Sequence, residues 1–348
     1  EWERGEAQPT LRQLEALAKT TSTPLGYFFL PTPPEERLPI PDFRTVPGAQ
    51  AQRPSPDLLE TIQTMQQRQG WMRDFLIEDG EELLVFTATA TLRDDSDVVA
   101  GRIRETLLLA ENWARAQRTW RDALKTLRDA IEDIGVLVMI NGIVGNNTRR
   151  KLDVNEFRGF VLVDEYAPLI FVNGADAKAA QMFTLAHELA HLWLGRGGVI
   201  NFQDLQPVNN EVELFCNRVA AEFLVPAESI GQVWTEAEQA DEPFQFLAQH
   251  FKVSPLVVAR RALDLSLIPR QEFFSFYQEY QEDERRQKRK SSGGDFYATQ
   301  GMRIGERFAS AIIRAVKEGR LLYREAYRLT GLHGRTFDRY AESLGFRM

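Results

Sequence analysis

The chain is poor in cysteine. Cys216 is its one thiol in 348 residues, so no internal disulfide can staple the fold, a usage that suits a reducing compartment. It also has no apolar run near the ~20 residues that a bilayer crossing takes, and no membrane partner is expected. The opening stretch EWERGEAQPTL has neither a basic n-region nor an apolar h-region, so it does not read as a secretory signal. A cytoplasmic location follows as the expectation. The chain begins on Glu1 rather than Met, which is expected of a trimmed form of a longer protein. Positive charge is also in deficit: 42 Lys and Arg stand against 50 Asp and Glu, a net charge of −8. A globally basic surface is excluded, and any nucleic-acid contact must be local. Histidine is scarce, with four in all.

What is present suffices for two or three domains of ~100–200 residues each, with 43% hydrophobic residues to fill their cores. Residues 1–30 read as small helices, with Thr10 as N-cap of LRQLEALAK. Residues 31–56 contain eight of the 16 prolines. Proline fixes φ and lacks an N–H, so this is an extended connector. A long central unit, 57–270, mixes both periodicities: a helix from Asp57 to about Ile77, a strand and its exit in GEELLVFTATATLRD (80–94), two helices within 97–133, and a strand in GVLVMING (135–142). FRGFVLVDEYAPLIFVNG (157–174) reads as a hairpin, followed by helices at 176–195 and 209–223 and a helix–turn–helix pattern at 245–268. Residues 271–295 read as a charged, then Ser/Gly-rich, linker. The tail 296–348 reads as three helices and carries ten Lys and Arg against five Asp and Glu, hence +5. An α+β fold with helical flanks is expected.

Two of the four histidines lie in FTLAHELAHLWLG, residues 183–195. On a helix, positions four apart share a face, so His187 and His191 can address one ion. Glu188, one step on, flanks the same ion and can deprotonate a water rather than ligate. The alternative is a buried helix whose histidines merely pack beside Leu185, Ala186, Leu189 and Leu192. Two imidazoles and a carboxylate on one apolar face are costly without a partner, which favours the metal, zinc for this motif. A catalytic zinc takes three protein ligands and keeps one position open. The H-E-x-x-H-x-x-G-x-x-H continuation is absent, because Leu194 and Gly197 stand where its glycine and third histidine would be. The third ligand is therefore sought in NNEVELFCNRVAAEFLVP (209–226). Glu213 shares a stripe with Cys216 and Asn217. Glu222, nine residues on, is expected to face out, and Glu211 suits the helix N-terminus. Glu213 is chosen, and Cys216 is read as a small core residue.

MFTLAHELAHLWLG followed by E-x-x-C-N-x-x-A-x-x-F-L-V-P resembles the ImmA/IrrE family of zinc metallopeptidases over about residues 135–268. That resemblance implies a zincin-like minimal metallopeptidase core, zinc on His187, His191 and Glu213, and Glu188 as general base. Cys216-Asn217 occupies the family's A-N position. Val219 departs from its commoner phenylalanine. Residues 2–29, WERGEAQPTLRQLEALAKTTSTPLGYFF, are similar to the second half of an XRE-type helix-turn-helix domain whose first two helices and most of the recognition helix are absent. DNA would thus be a partner of a complete N-terminal domain rather than of this chain. The order XRE, P-D-F-R-T, peptidase, helical tail resembles regulatory proteases that act on a repressor. The alternative is an antitoxin-like regulator that holds a toxin and DNA, with little or no peptidase activity. A protein partner is expected either way, and a dimer is a plausible assembly. The hairpin strands before the active helix are expected to offer a substrate an edge, and Tyr166, Asn173 and Arg218 are unranked oxyanion or substrate contacts. The basic tail is left open between a solvated hairpin and a surface for nucleic acid or an acidic partner.

Overall fold

The computed structural model describes residues 2, 4–21, 23–32, 54–200, 210–282 and 296–347. The P-D-F-R-T motif and most of the Pro-rich connector lie outside these residues, as does 283–295.

Four strands form one mixed sheet in the order β1-β3-β2-β4: β1 (Leu137–Asn141), β2 (Gly159–Leu162), β3 (Leu169–Asn173) and β4 (Gly198–Ile200). β1 runs parallel to β3, and β2 is antiparallel to both β3 and β4. The expected hairpin is β2–β3. Both of its strands are interior, so the expectation that they offer a free edge is corrected: β4, which the sequence did not announce, takes the edge beside β2.

Side chains alternate across a strand, and here the two sets enter two cores. Val138, Ile140, Val161, Ile170 and Val172 pack toward α5 (Lys178–Leu194) and α6 (Glu211–Leu224). Leu137, Met139, Phe160, Leu162, Leu169 and Phe171 pack the other way. With both faces covered, the strands read as continuous apolar runs. The second core also takes in α2 (Pro56–Glu78) and the C-terminal α11 (Phe296–Ile304), α12 (Glu306–Lys317), α13 (Tyr323–Thr330) and α14 (Arg335–Ser343). The tail therefore has four helices rather than three, and it shares a core with the sheet rather than standing as a separate unit. Arg68 of α2 fastens it, donating to the carbonyls of Leu329 (2.9 Å) and Arg303 (3.1 Å).

The remaining helices cover the first face: α3 (Ser96–Thr106), α4 (Trp120–Asp133), α7 (Ala227–Glu238), α8 (Pro243–Phe251), α9 (Pro255–Asp264) and α10 (Arg270–Glu282). α10 occupies the first half of the segment expected to be linker. The N-terminal α1 (Leu11–Thr21) is capped as anticipated: the Thr10 hydroxyl accepts from the Gln13 N–H at 3.4 Å. A 3-10 turn, Leu25–Phe29, follows.

Residues 80–94 form no strand. Their N–H groups go elsewhere: Ala88 donates to the carbonyl of Leu192 at 3.0 Å and Ala90 to that of Trp193 at 2.8 Å. The last carbonyls of a helix lack intrahelical partners, and this strap supplies them at the end of α5. Phe86 stacks on Trp193. Ala88 sits at φ 58, and a side chain on Gly195 would collide with it. The β-rich composition of the strap is thus spent on packing rather than on a ladder.

Candidate metal centre

α5 is apolar nearly all round and buried from Met182 to Leu194 save Phe183. It ends on Gly195 at φ 64, the left-handed turn that glycine adopts without strain. This turn brings the next carbonyl back over the helix. The Nδ1 of His191 lies 2.9 Å from the Arg196 carbonyl oxygen. A carbonyl only accepts, so Nδ1 carries the proton and the Nε2 lone pair faces inward.

Three side chains then converge. The Nε2 atoms of His187 and His191 are 3.0 Å apart. The Glu213 carboxylate, in the first turn of α6, places one oxygen 3.2 Å from each. Asn210 caps that turn by accepting from the Val212 N–H at 3.0 Å. With its proton on Nδ1, His191 turns a lone pair toward a carboxylate oxygen, a repulsive contact unless a cation lies between. Zinc bonds of ~2.0–2.1 Å in tetrahedral array separate their ligands by about 3.4 Å, close to these spacings. Burial alone would raise the Glu213 carboxyl, but the two neighbouring imidazoles outweigh it and hold the group low. Burial lowers His187.

Glu188 is fully buried, and neither carboxylate oxygen has a hydrogen-bond partner among the described residues. Burial first, then the Glu213 charge, push its pKa well up. Such a group is expensive to keep. It faces β2: a Cβ on Gly159 would come within 2.9 Å of a Glu188 oxygen and 2.6 Å of the Thr184 methyl. Two carboxyl groups and two imidazoles, all buried together, fit a divalent cation, which would restore the charge balance.

Cys216 is buried, and its Sγ lies within 4.8 Å of both histidine nitrogens. The Glu213 oxygens lie 3.2 Å from the two Nε2 atoms, one on each. Burial, then Glu213 and Glu188, keep the thiol protonated by raising its pKa, so the carboxylate is the better third donor. Glu222 does not face out. It is buried in an ion pair with Arg261, because α9 covers that side of α6. Asn217 stands one turn beyond Glu213 with its side chain turned to His187.

Of the other expected contacts, none reaches this pocket. Tyr166 lies in the β2–β3 turn, at the opposite end of the hairpin from Gly159, beneath the Arg73 guanidinium (5.5 Å). Asn173 is buried but committed to the turn after β3, donating to the Phe157 carbonyl and accepting from the Ala175 N–H, both at 3.1 Å. Arg218 is exposed on the outside of α6. Sequence reasoning missed Gly159 and the Arg196 carbonyl, because neither carries a chemical side-chain signature.

A sheet-and-helix metallopeptidase-like centre is the class these features define. Residues 131–263, less than half of the chain, match the M78 peptidase family model, described as the IrrE N-terminal-like domain. Residues 304–343 match a domain of unknown function. A search of the curated proteins finds no match. No helix among the described residues is long and apolar enough to cross a membrane.

Proposed function

We propose that the chain is a zinc-dependent endopeptidase that cuts a regulatory protein partner in the cytoplasm. The observation that carries this reading is the convergence of His187, His191 and Glu213 within 3.2 Å beside the partnerless carboxyl of Glu188. Zinc on those three would polarise a peptide carbonyl and acidify a water. Glu188 takes the proton of the attacking water and returns it to the leaving amine. The burial of all four side chains strengthens each of these charges. The substrate lies extended along the outer edge of β4, which pairs with no further strand among the described residues, and main-chain pairing holds it there. Specificity for a repressor-like partner rests on the resemblance of the domain order to regulatory proteases.

The test uses Glu188→Gln in the full chain. It should retain one zinc per chain by elemental analysis, while cleavage of the partner it captures falls by about 10²–10⁴-fold. Zinc bound at that ratio with cleavage undiminished would remove Glu188 from the chemistry. A captured partner held equally by wild type and never cut would replace the peptidase with an antitoxin-like binder.

A further inference from the structure

A second surface lies on the far side of the sheet, in the C-terminal helices. α13 and α14 are joined by a four-residue turn, 331–334, with Gly331 at φ 71 and Gly334 at φ 50. Phe337, in the first turn of α14, touches both Tyr323 and Tyr327, one turn apart on α13. The start of α14 therefore lies across α13, the arrangement of a helix-turn-helix. Leu329, Leu332, Phe337 and Tyr340 are buried beneath and fix the pair to the molecule.

What sets the cations here apart is their spacing on two adjoining helices; exposed arginines elsewhere, Arg93 and Arg102 among them, also lack an ion pair among the described residues. Arg73, Arg128, Arg150, Arg261, Arg314 and Arg320 each meet a carboxylate. Arg324 and Arg328 on α13, and Arg335 and Arg339 on α14, are exposed and make no ion pair among the described residues. Each pair is four residues apart and shares a helix face. Asn146 donates to the Gly331 carbonyl at 2.9 Å and fastens the loop bearing exposed Arg149 and Lys151 to the same turn. Of the acidic residues of these helices, Glu325 and Asp338 are half-buried, and Glu342 is exposed in the last turn of α14, away from its N-terminal end.

We propose that this face docks double-stranded DNA, with the N-terminal turn of α14 entering the major groove and α13 crossing the backbone. Arg335 and Arg339 sit where a recognition helix meets base edges and phosphates. Arg324, Arg328, Arg149 and Lys151 meet the flanking phosphates. B-form DNA is the fitting duplex, because the major groove of RNA is too deep and narrow for a helix. The chain as a whole is acidic, so the attraction is local and steeply salt-dependent.

The experiment is fluorescence anisotropy of a labelled duplex of mixed sequence with the full chain, from about 50 to 200 mM salt. The quadruple variant Arg324→Ala/Arg328→Ala/Arg335→Ala/Arg339→Ala should lower the slope of log K against log[salt] by about one per lost phosphate contact. Arg93→Ala/Arg102→Ala, exposed on the other face, should not alter it. All six positions are exposed, so thermal midpoints should match wild type. No binding at the low-salt end overturns the proposal. So does binding that the quadruple variant leaves intact, or that the control variant reduces equally.

Discussion

Two buried charged groups, one on each face of the sheet, are served in opposite ways. On the second face, Arg68 is buried and fully served. It donates to two helix-end carbonyls, approaches the Met139 sulfur at 3.2 Å and lies over the Phe308 ring. On the first face, Glu188 is buried and served by nothing among the described residues. A satisfied buried charge holds a fold together, whereas an unsatisfied one stores a reactivity. The cost of keeping it is met by the packing around it.

Replacing Arg68 should have the largest effect on stability. Arg68→Ala strands the Leu329 and Arg303 carbonyls and removes the stem between α2 and the tail. A loss on the order of 3–4 kcal/mol is expected by chemical unfolding. A loss under ~1 kcal/mol would mean that water serves those carbonyls equally well. Gly159→Ala comes next. Its methyl would press on Thr184, Glu188 and the Phe171 carbonyl, so about 1–3 kcal/mol of stability should go, with peptidase activity falling further than zinc content. Equal losses of both would show that the glycine serves packing alone. The smallest effect is at Glu132, between the sheet and the tail. Burial, opposed by Arg128, raises its carboxyl to about 7. A folded pKa above the unfolded 4.5 means that the native state holds a proton the unfolded state has lost. Stability should be fullest below pH 4.5 and should fall as pH rises to about 7. Glu132→Gln should flatten that slope in thermal midpoints measured across the window; an unchanged slope would assign the titration to another group.

Much of the centre was legible because its chemistry repeats at helical spacing. His187, Glu188 and His191 announce themselves, and Glu213 follows from its stripe on α6. The β2–β3 hairpin was legible from its two apolar runs. β4 was not, since three residues offer no period. The strap at 80–94 misled because Val85, Phe86 and Thr87 carry β propensity, which is context-dependent, while the orphan carbonyls of α5 claimed its N–H groups. The placement of the tail was hidden as well. Met139 and Val138 look alike in sequence, and only the fold sends one toward Arg68 and the other toward α5. Glu222 misled for a related reason: helical spacing put it opposite Glu213, but it could not reveal that Arg261 waits there.

The His191 tautomer is set by a main-chain oxygen, that of Arg196, whose side chain is exposed. No change of side chain at position 196 can delete that acceptor. The residue is therefore free to drift in sequence while the imidazole keeps its orientation, and the site inherits its polarity from the path of a turn rather than from the identity of a neighbour.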